Sequence, residues 1–176
     1  MSSRIVGGKI APISEKVIPW QVGIFGLNIP GYESIICCGG VLLSNEHILS
    51  AAHCEACLKF DGGDHVLIGS KNKADHDHLY PVSRFRNIHP KYEHFNAKQD
   101  PGWPTEFTIY DFMILFLSIP LHFCNNVFAR LPTRNLDDDY LSGKILMLSG
   151  WGSIDAVTNQ QVIDDMRGTQ QQCLNV

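Results

Sequence analysis

Residues 35–54 read Ile35-Ile36-Cys37-Cys38-Gly39-Gly40-Val41-Leu42-Leu43-Ser44-Asn45-Glu46-His47-Ile48-Leu49-Ser50-Ala51-Ala52-His53-Cys54. Two short apolar runs, Ile35 to Leu43 and His47 to Ala51, are parted by the polar Ser44-Asn45-Glu46, the length and punctuation of short strands. From Asn45 to His53 the apolar residues do not alternate cleanly, and the stretch is expected to end in a single helical turn around Ala51-Ala52-His53-Cys54. Further short runs lie on either side: Trp20 to Leu27, Val66 to Ile68, Phe112 to Leu117 and Lys144 to Leu148. Gly, Pro, Asn and Asp clusters separate them, and no stretch sustains a 3.6-residue period. The pattern predicts an all-β protein whose short strands close as barrels or a sandwich. Tyr92 to Glu106, with three aromatics, two prolines and a glycine, reads as a long loop, a feature that in compact domains is usually functional or disordered.

Composition narrows the function classes. The chain of 176 residues carries 14 Lys+Arg against 18 Asp+Glu, a formal charge of −4, so it lacks the basic footprint of a general nucleic-acid binder. No window approaches the roughly 18 apolar residues that a membrane-spanning helix needs. With 44% hydrophobic and 18% charged residues it has enough apolar surface to build a core. Six cysteines without a paired CxxC motif point to disulfides and an oxidising compartment in preference to zinc. Met1-Ser2-Ser3-Arg4 runs straight into Ile5-Val6-Gly7-Gly8 without the basic and apolar segments of a secretory signal, so a trimmed or restarted N-terminus, or an incomplete gene model, is expected.

The chemistry concentrates at His53. A bridge from Cys38 to Cys54 would staple a strand to the turn that holds this imidazole, whose intrinsic pKa near neutrality suits a general base. A base needs an orienting partner. Tyr110-Asp111-Phe112-Met113-Ile114-Leu115 offers a carboxylate at the start of an apolar strand, where burial would be costly unless it accepted hydrogen bonds.

These pieces belong to a longer ordered set. Arg4-Ile5-Val6-Gly7-Gly8, Pro19-Trp20-Gln21-Val22, Cys38-Gly39-Gly40-Val41-Leu42, Leu49-Ser50-Ala51-Ala52-His53-Cys54, His89-Pro90-Lys91-Tyr92, Asp111-Phe112-Met113-Ile114-Leu115, Leu131-Pro132 and Ser149-Gly150-Trp151-Gly152 follow one another along the chain. From Arg4 to Gly152 the sequence therefore resembles the chymotrypsin-like (trypsin-like) serine proteases. The resemblance implies two antiparallel Greek-key β-barrels of six strands each, with the catalytic site between them. It implies that His53 is the general base, that Asp111 orients its imidazole and stabilises the imidazolium, and that Cys38 and Cys54 are bridged. It also implies that the Arg4–Ile5 bond is the zymogen activation cleavage site, which would free an Ile5 ammonium to pair with an Asp beside the nucleophile.

The sequence then departs from that family. The chain order His, Asp, Ser calls for a nucleophile in Gly-Asp-Ser-Gly-Gly-Pro, and no such motif occurs. Ser149 corresponds to a structural strand residue, and Ser142 and Ser153 lack a nucleophile's context. The expectation is a truncated chain: residues 1–4 a remnant of the activation segment, 5–122 the N-terminal segment with a complete first barrel, 123–176 the link and a partial second barrel. The part after about Leu131 is expected to be poorly stable or prone to aggregate, because an incomplete barrel exposes strand edges and apolar faces. On this reading the chain is extracellular and uses no cofactor or metal. It meets polypeptide substrates or protein inhibitors, and the absent C-terminal half is a further partner. The alternatives are a non-catalytic homologue that binds a partner, and an incomplete gene model.

Granting Cys38 to Cys54, the remaining four cysteines allow three pairings. Cys37 with Cys57 is favoured because both flank the first bridge, leaving Cys124 and Cys173 without partners from a missing half. Asp75-His76-Asp77-His78 lies where many relatives carry a calcium loop, but it reads as a solvated polar turn, since His is a poor calcium ligand and Ser70 opens the loop. Tyr92 to Glu106 is longer than usual for the family, and its Pro101, Trp103 and Pro104 would narrow access to a cleft.

Overall fold

The computed structural model describes residues 9–10, 18–26, 36–61, 63–72, 75–95, 107–122, 128–133, 147–151 and 172–175. Its strands are β1 (Lys9–Ile10), β2 (Gln21–Phe25), β3 (Ile36–Leu42), β4 (His47–Ser50), β5 (His65–Ile68), β6 (Leu79–Ile88), β7 (Glu93–Phe95), β8 (Phe107–Ile109), β9 (Met113–Leu117), β10 (Met147–Gly150) and β11 (Gln172–Asn175). Two short 3₁₀ helices, Ala52–Cys57 and His76–His78, complete the described elements. Strands β2-β3-β4-β9-β6-β5 close into an antiparallel barrel, and β1-β11-β10 form a separate three-stranded sheet. The all-β reading therefore holds. No helix among the described residues is long and apolar enough to cross a membrane.

The barrel interior is filled by alternate residues of each strand. In β9, Met113, Leu115 and Leu117 point inward and are buried, while Ile114 and Phe116 are only partly covered, the period of two that a pleated strand imposes. They pack with Val22, Ile24, Leu42, Ile48, Val66, Ile68 and Val82 in one core. Strand β5 departs from alternation because Val66, Leu67 and Ile68 are all buried. Leu67 faces outward, where Ile36 and Trp151 cover it in a second small cluster. Gly23 lies under the same cover: a Cβ there would sit 2.8 Å from Ile36 Cδ1 and 3.3 Å from Trp151. The Trp151 indole N–H donates to the Lys71 carbonyl at 3.0 Å, which fixes the end of β10 against the barrel wall.

Two elements differ from the sequence reading. The longest strand, β6, was not among the expected runs: Pro81, Arg84, Arg86 and Asn87 interrupt its apolar signal, and Val82 is its only buried residue. Its pairing with β9 slips between Val82 and Arg86, and such an irregularity lets a strand turn several polar residues to solvent. The Tyr92 to Glu106 segment begins as a strand, not as loop. Glu93, His94 and Phe95 pair with Ile109, Thr108 and Phe107, and the Phe95 and Phe107 rings stack at 4.6 Å. Pro101, Trp103 and Pro104 lie outside the described residues, as do Arg4, Ile5, Cys124, Ser142 and Ser153.

Candidate active site

The barrel register places His53 and Asp111 on one rim. Strands β4 and β9 are antiparallel, with Ser50 opposite Met113. The chain leaving β4 after Ser50 and the chain entering β9 before Met113 therefore lie side by side. Residues 52–57 then coil into the 3₁₀ helix, closed at its start by the Cys54 N–H to the Ala51 carbonyl at 3.2 Å. The helical turn expected around Ala51 to Cys54 is thus the start of a slightly longer element.

Two disulfides hold that helix to the barrel. Cys38 is joined to Cys54 and Cys37 to Cys57, with Cα separations of 6.0 and 6.2 Å. Adjacent residues of a regular strand point to opposite faces, so Cys37 and Cys38 would not ordinarily reach one helix. The register explains how they do. Ile24 lies opposite Cys38 but Phe25 lies opposite Ile36, which leaves Cys37 as the extra residue of a bulge. At Gly40 a Cβ would lie 3.0 Å from both Ile48 Cγ2 and the Leu49 carbonyl, so a larger residue would require β4 to give by a few tenths of an ångström.

Asp111 is shaped by its neighbours. Tyr110 adopts a positive φ of 51°, uncommon for a bulky side chain, and the Phe112 N–H reaches back to the Tyr110 carbonyl at 2.8 Å. The Tyr110 ring stacks on His89 at 4.9 Å and 5°, and the His89 N–H donates to the Phe112 carbonyl at 2.9 Å. The chain thus turns sharply at Asp111 and presents its carboxylate to the helix.

The resulting contacts are short. The His53 backbone N–H donates to Asp111 Oδ1 at 2.8 Å, and His53 Nδ1 lies 2.6 Å from Oδ2. A third donor, the Thr108 hydroxyl, reaches Oδ2 at 3.0 Å. Burial pushes the Asp111 carboxyl up, but the side-chain and backbone bonds from His53, the Thr108 bond and the imidazole's charge outweigh it, leaving the group below its ordinary value. An ionised carboxylate only accepts, so Nδ1 carries the proton and the Nε2 lone pair is left as the basic site. Among the described residues Nε2 has no protein partner. The His53 side chain is 42% exposed and that of Asp111 20%, so the imidazole is open to solvent while the carboxylate is more sheltered.

An open cleft of about 620 Å³ reaches Asp111, lined by Gly39, Gly40, Ser50, Asp111, Phe112 and Ser149 among others. Phe112 is 56% exposed beside it. The Ser149 hydroxyl donates to Gln21 Oε1, so the residue ties β10 to β2. The His76–His78 turn is fixed by His78, whose Nδ1–H donates to the Ile68 carbonyl at 3.0 Å. Thr108 is the contributor to the site that the sequence reading did not single out, since no motif contains it.

Fold, order of motifs and site geometry define a serine-protease-like chain, and comparison with known proteins identifies the family. The trypsin family profile matches residues 5–175, and the chain belongs to that family. It is 33% identical over 153 residues to Trypsin 5G1 of Aedes aegypti, covering 86% of this chain and 49% of that protein. It is 31% identical over 178 residues to Glandular kallikrein-10 of Rattus norvegicus, covering 99% of this chain and 59% of the relative. Kallikrein 1-related peptidase b1 of Mus musculus is 31% identical over 185 residues, with 100% and 60% covered. The chain thus spans about half to three-fifths of the length of these relatives.

Proposed function

We propose that this chain supplies the general-base half of a trypsin-like serine endopeptidase. His53 Nε2 takes the proton of an attacking serine hydroxyl as its oxygen bonds to the scissile carbonyl carbon. It then returns that proton to the leaving amine. Asp111 holds the reactive tautomer and stabilises the imidazolium formed between the two transfers. The observation that carries this reading is the doubly bonded His53–Asp111 pair, in which Nε2 has no partner among the described residues and the imidazole is exposed.

The 176 residues contain no Gly-Asp-Ser-Gly-Gly motif. A working enzyme must therefore draw its nucleophile and oxyanion hole from outside them, and the cleft at Gly39, Gly40 and Phe112 is where that part would seat. The β1-β11-β10 sheet is read as a portion of the second barrel. Polypeptides are the substrates or inhibitors, Arg4–Ile5 is the activation bond, and the two disulfides support an oxidising, extracellular setting.

Reaction with a serine-directed fluorophosphonate tests the reading. The probe needs both an activated serine oxygen and donors for the developing charge. The chain alone is expected to remain unlabelled. Labelling is expected when it is expressed with a second polypeptide bearing a Gly-Asp-Ser-Gly-Gly-Pro segment on a matching half-barrel, and it should vanish with His53→Ala. A stably associated complex that never labels would overturn the proposal. So would stoichiometric labelling of a serine in the chain alone.

A further inference from the structure

Among the described residues, the β7–β8 hairpin reaches the site through the Thr108 side chain. Thr108 lies on β8, opposite His94 on β7, and its hydroxyl donates to the same Asp111 oxygen that receives His53 Nδ1. Asp111 thus takes two bonds from the 3₁₀ helix and one from the hairpin. Because Oδ2 is shared, the hydroxyl both restrains rotation of the carboxylate and competes with the imidazole for its negative charge.

We propose that Thr108 is a positioning residue of the His53–Asp111 pair: its hydroxyl fixes the Asp111 carboxylate from the hairpin side. The bond comes from an element beyond both motifs that carry the pair. The Phe95–Phe107 stack at 4.6 Å holds the strand next to it, so the hydroxyl is presented by a braced hairpin. Its donation is one of the contacts that keep the Asp111 carboxyl below its ordinary value. Among the described residues the titratable group acting on this carboxylate is His53, from the helix, and the carboxylate in turn acts on Tyr92, at the foot of the hairpin. The Tyr92 phenol is pushed up by burial, then by the charges of Asp111 and Glu55, and stays neutral through the acid range.

The inference rests on the proposed roles of His53 and Asp111 for its meaning, but its test needs no nucleophile. The Asp111 side-chain carboxyl carbon is followed by NMR during acid titration of the chain, of Thr108→Val and of Thr108→Ser, with thermal unfolding as a fold control. Valine keeps the β-branched shape that suits a strand and removes the donor. The Asp111 midpoint is expected to move upward in Thr108→Val and to stay at the parent position in Thr108→Ser. A folded Thr108→Val that titrates like the parent would overturn the proposal. Should the valine variant not fold, Thr108→Ser still decides: an upward midpoint there, with the hydroxyl present, would make packing the cause and overturn it. A Thr108-dependent midpoint in a chain that never completes a protease would sink the proposed function alone.

Discussion

The six-stranded barrel and the three-stranded β1-β11-β10 sheet solve the same problem unequally. In the barrel every strand has two neighbours, so no row of backbone donors and acceptors is left open. Two disulfides also tie β3 to the helix that carries His53. In the sheet only β11 has two partners among the described residues, and the link to the barrel runs through Trp151 and Ser149. The difference teaches that the pair His53–Asp111 is held by the closed region and the β7–β8 hairpin beside it. Its geometry follows from the β4–β9 register and the bridges, and it asks nothing of the sheet.

The strongest way to break this contrast is to unstaple the barrel. Replacing Cys38 and Cys54 by serine should cost about 2 to 5 kcal/mol, read by urea unfolding, and should loosen the His53–Asp111 contact. An unfolding midpoint left in place would show that strand closure alone holds the helix. The next test cuts the link instead. Trp151→Ala removes a buried indole and should cost about 3 to 5 kcal/mol if the sheet and barrel unfold together. The Asp111 titration should nevertheless persist, because no contact of the pair involves Trp151. Loss of the pair in a folded Trp151→Ala variant would mean that the sheet supports the site.

Within the barrel, the two adjacent glycines sharpen the comparison. Gly40→Ala forces β3 away from β4 and should destabilise by about 1 to 3 kcal/mol. A Cβ at Gly39 meets nothing closer than 3.8 Å, so Gly39→Ala should stay within about 0.5 kcal/mol. Equal effects would refute the close approach argued for Gly40.

The smallest expected effect is on pH dependence. The Asp111 carboxyl lies below its ordinary value in the folded state, so its ionised form contributes stability that is fully present above the ordinary value of 3.8. That contribution is lost as pH falls through the lower, folded value. Asp111→Asn should remove this part of the acid sensitivity, measured as the difference between unfolding curves of parent and variant in that window. Identical acid profiles would show that the carboxylate gains nothing from its bonds.

Much of this was legible in the sequence. The apolar runs of β2, β3, β4, β5 and β9 stand out because both the barrel interior and, at β5, the Trp151 cover demand continuous burial. The ordered motifs around His53 and Asp111 placed both ends of the pair. Strand β6 was hidden because its outward face is polar and Pro81 breaks its pattern, and β7 because its three residues pair only locally with β8. Thr108 was invisible for a deeper reason. Its role depends on the hairpin carrying a hydroxyl to one carboxylate oxygen, a three-dimensional coincidence with no spacing rule. The Cys37–Cys57 bridge was expected because both cysteines flank the first bridge, but the bulge opposite Phe25 that lets Cys37 reach the helix is not visible in apolar patterning.

The central claim is that the barrel presents His53 with its proton on Nδ1 and its lone pair on Nε2, without help from any other chain. Nitrogen NMR of the imidazole above its titration, assigned by loss of the signals in His53→Ala, reads that tautomer directly. The account predicts a protonated Nδ1, strongly deshielded by its bond to Asp111, and an unprotonated Nε2, with the deshielding lost in Asp111→Ala. A proton on Nε2, or an averaged imidazole indifferent to Asp111→Ala, would contradict it.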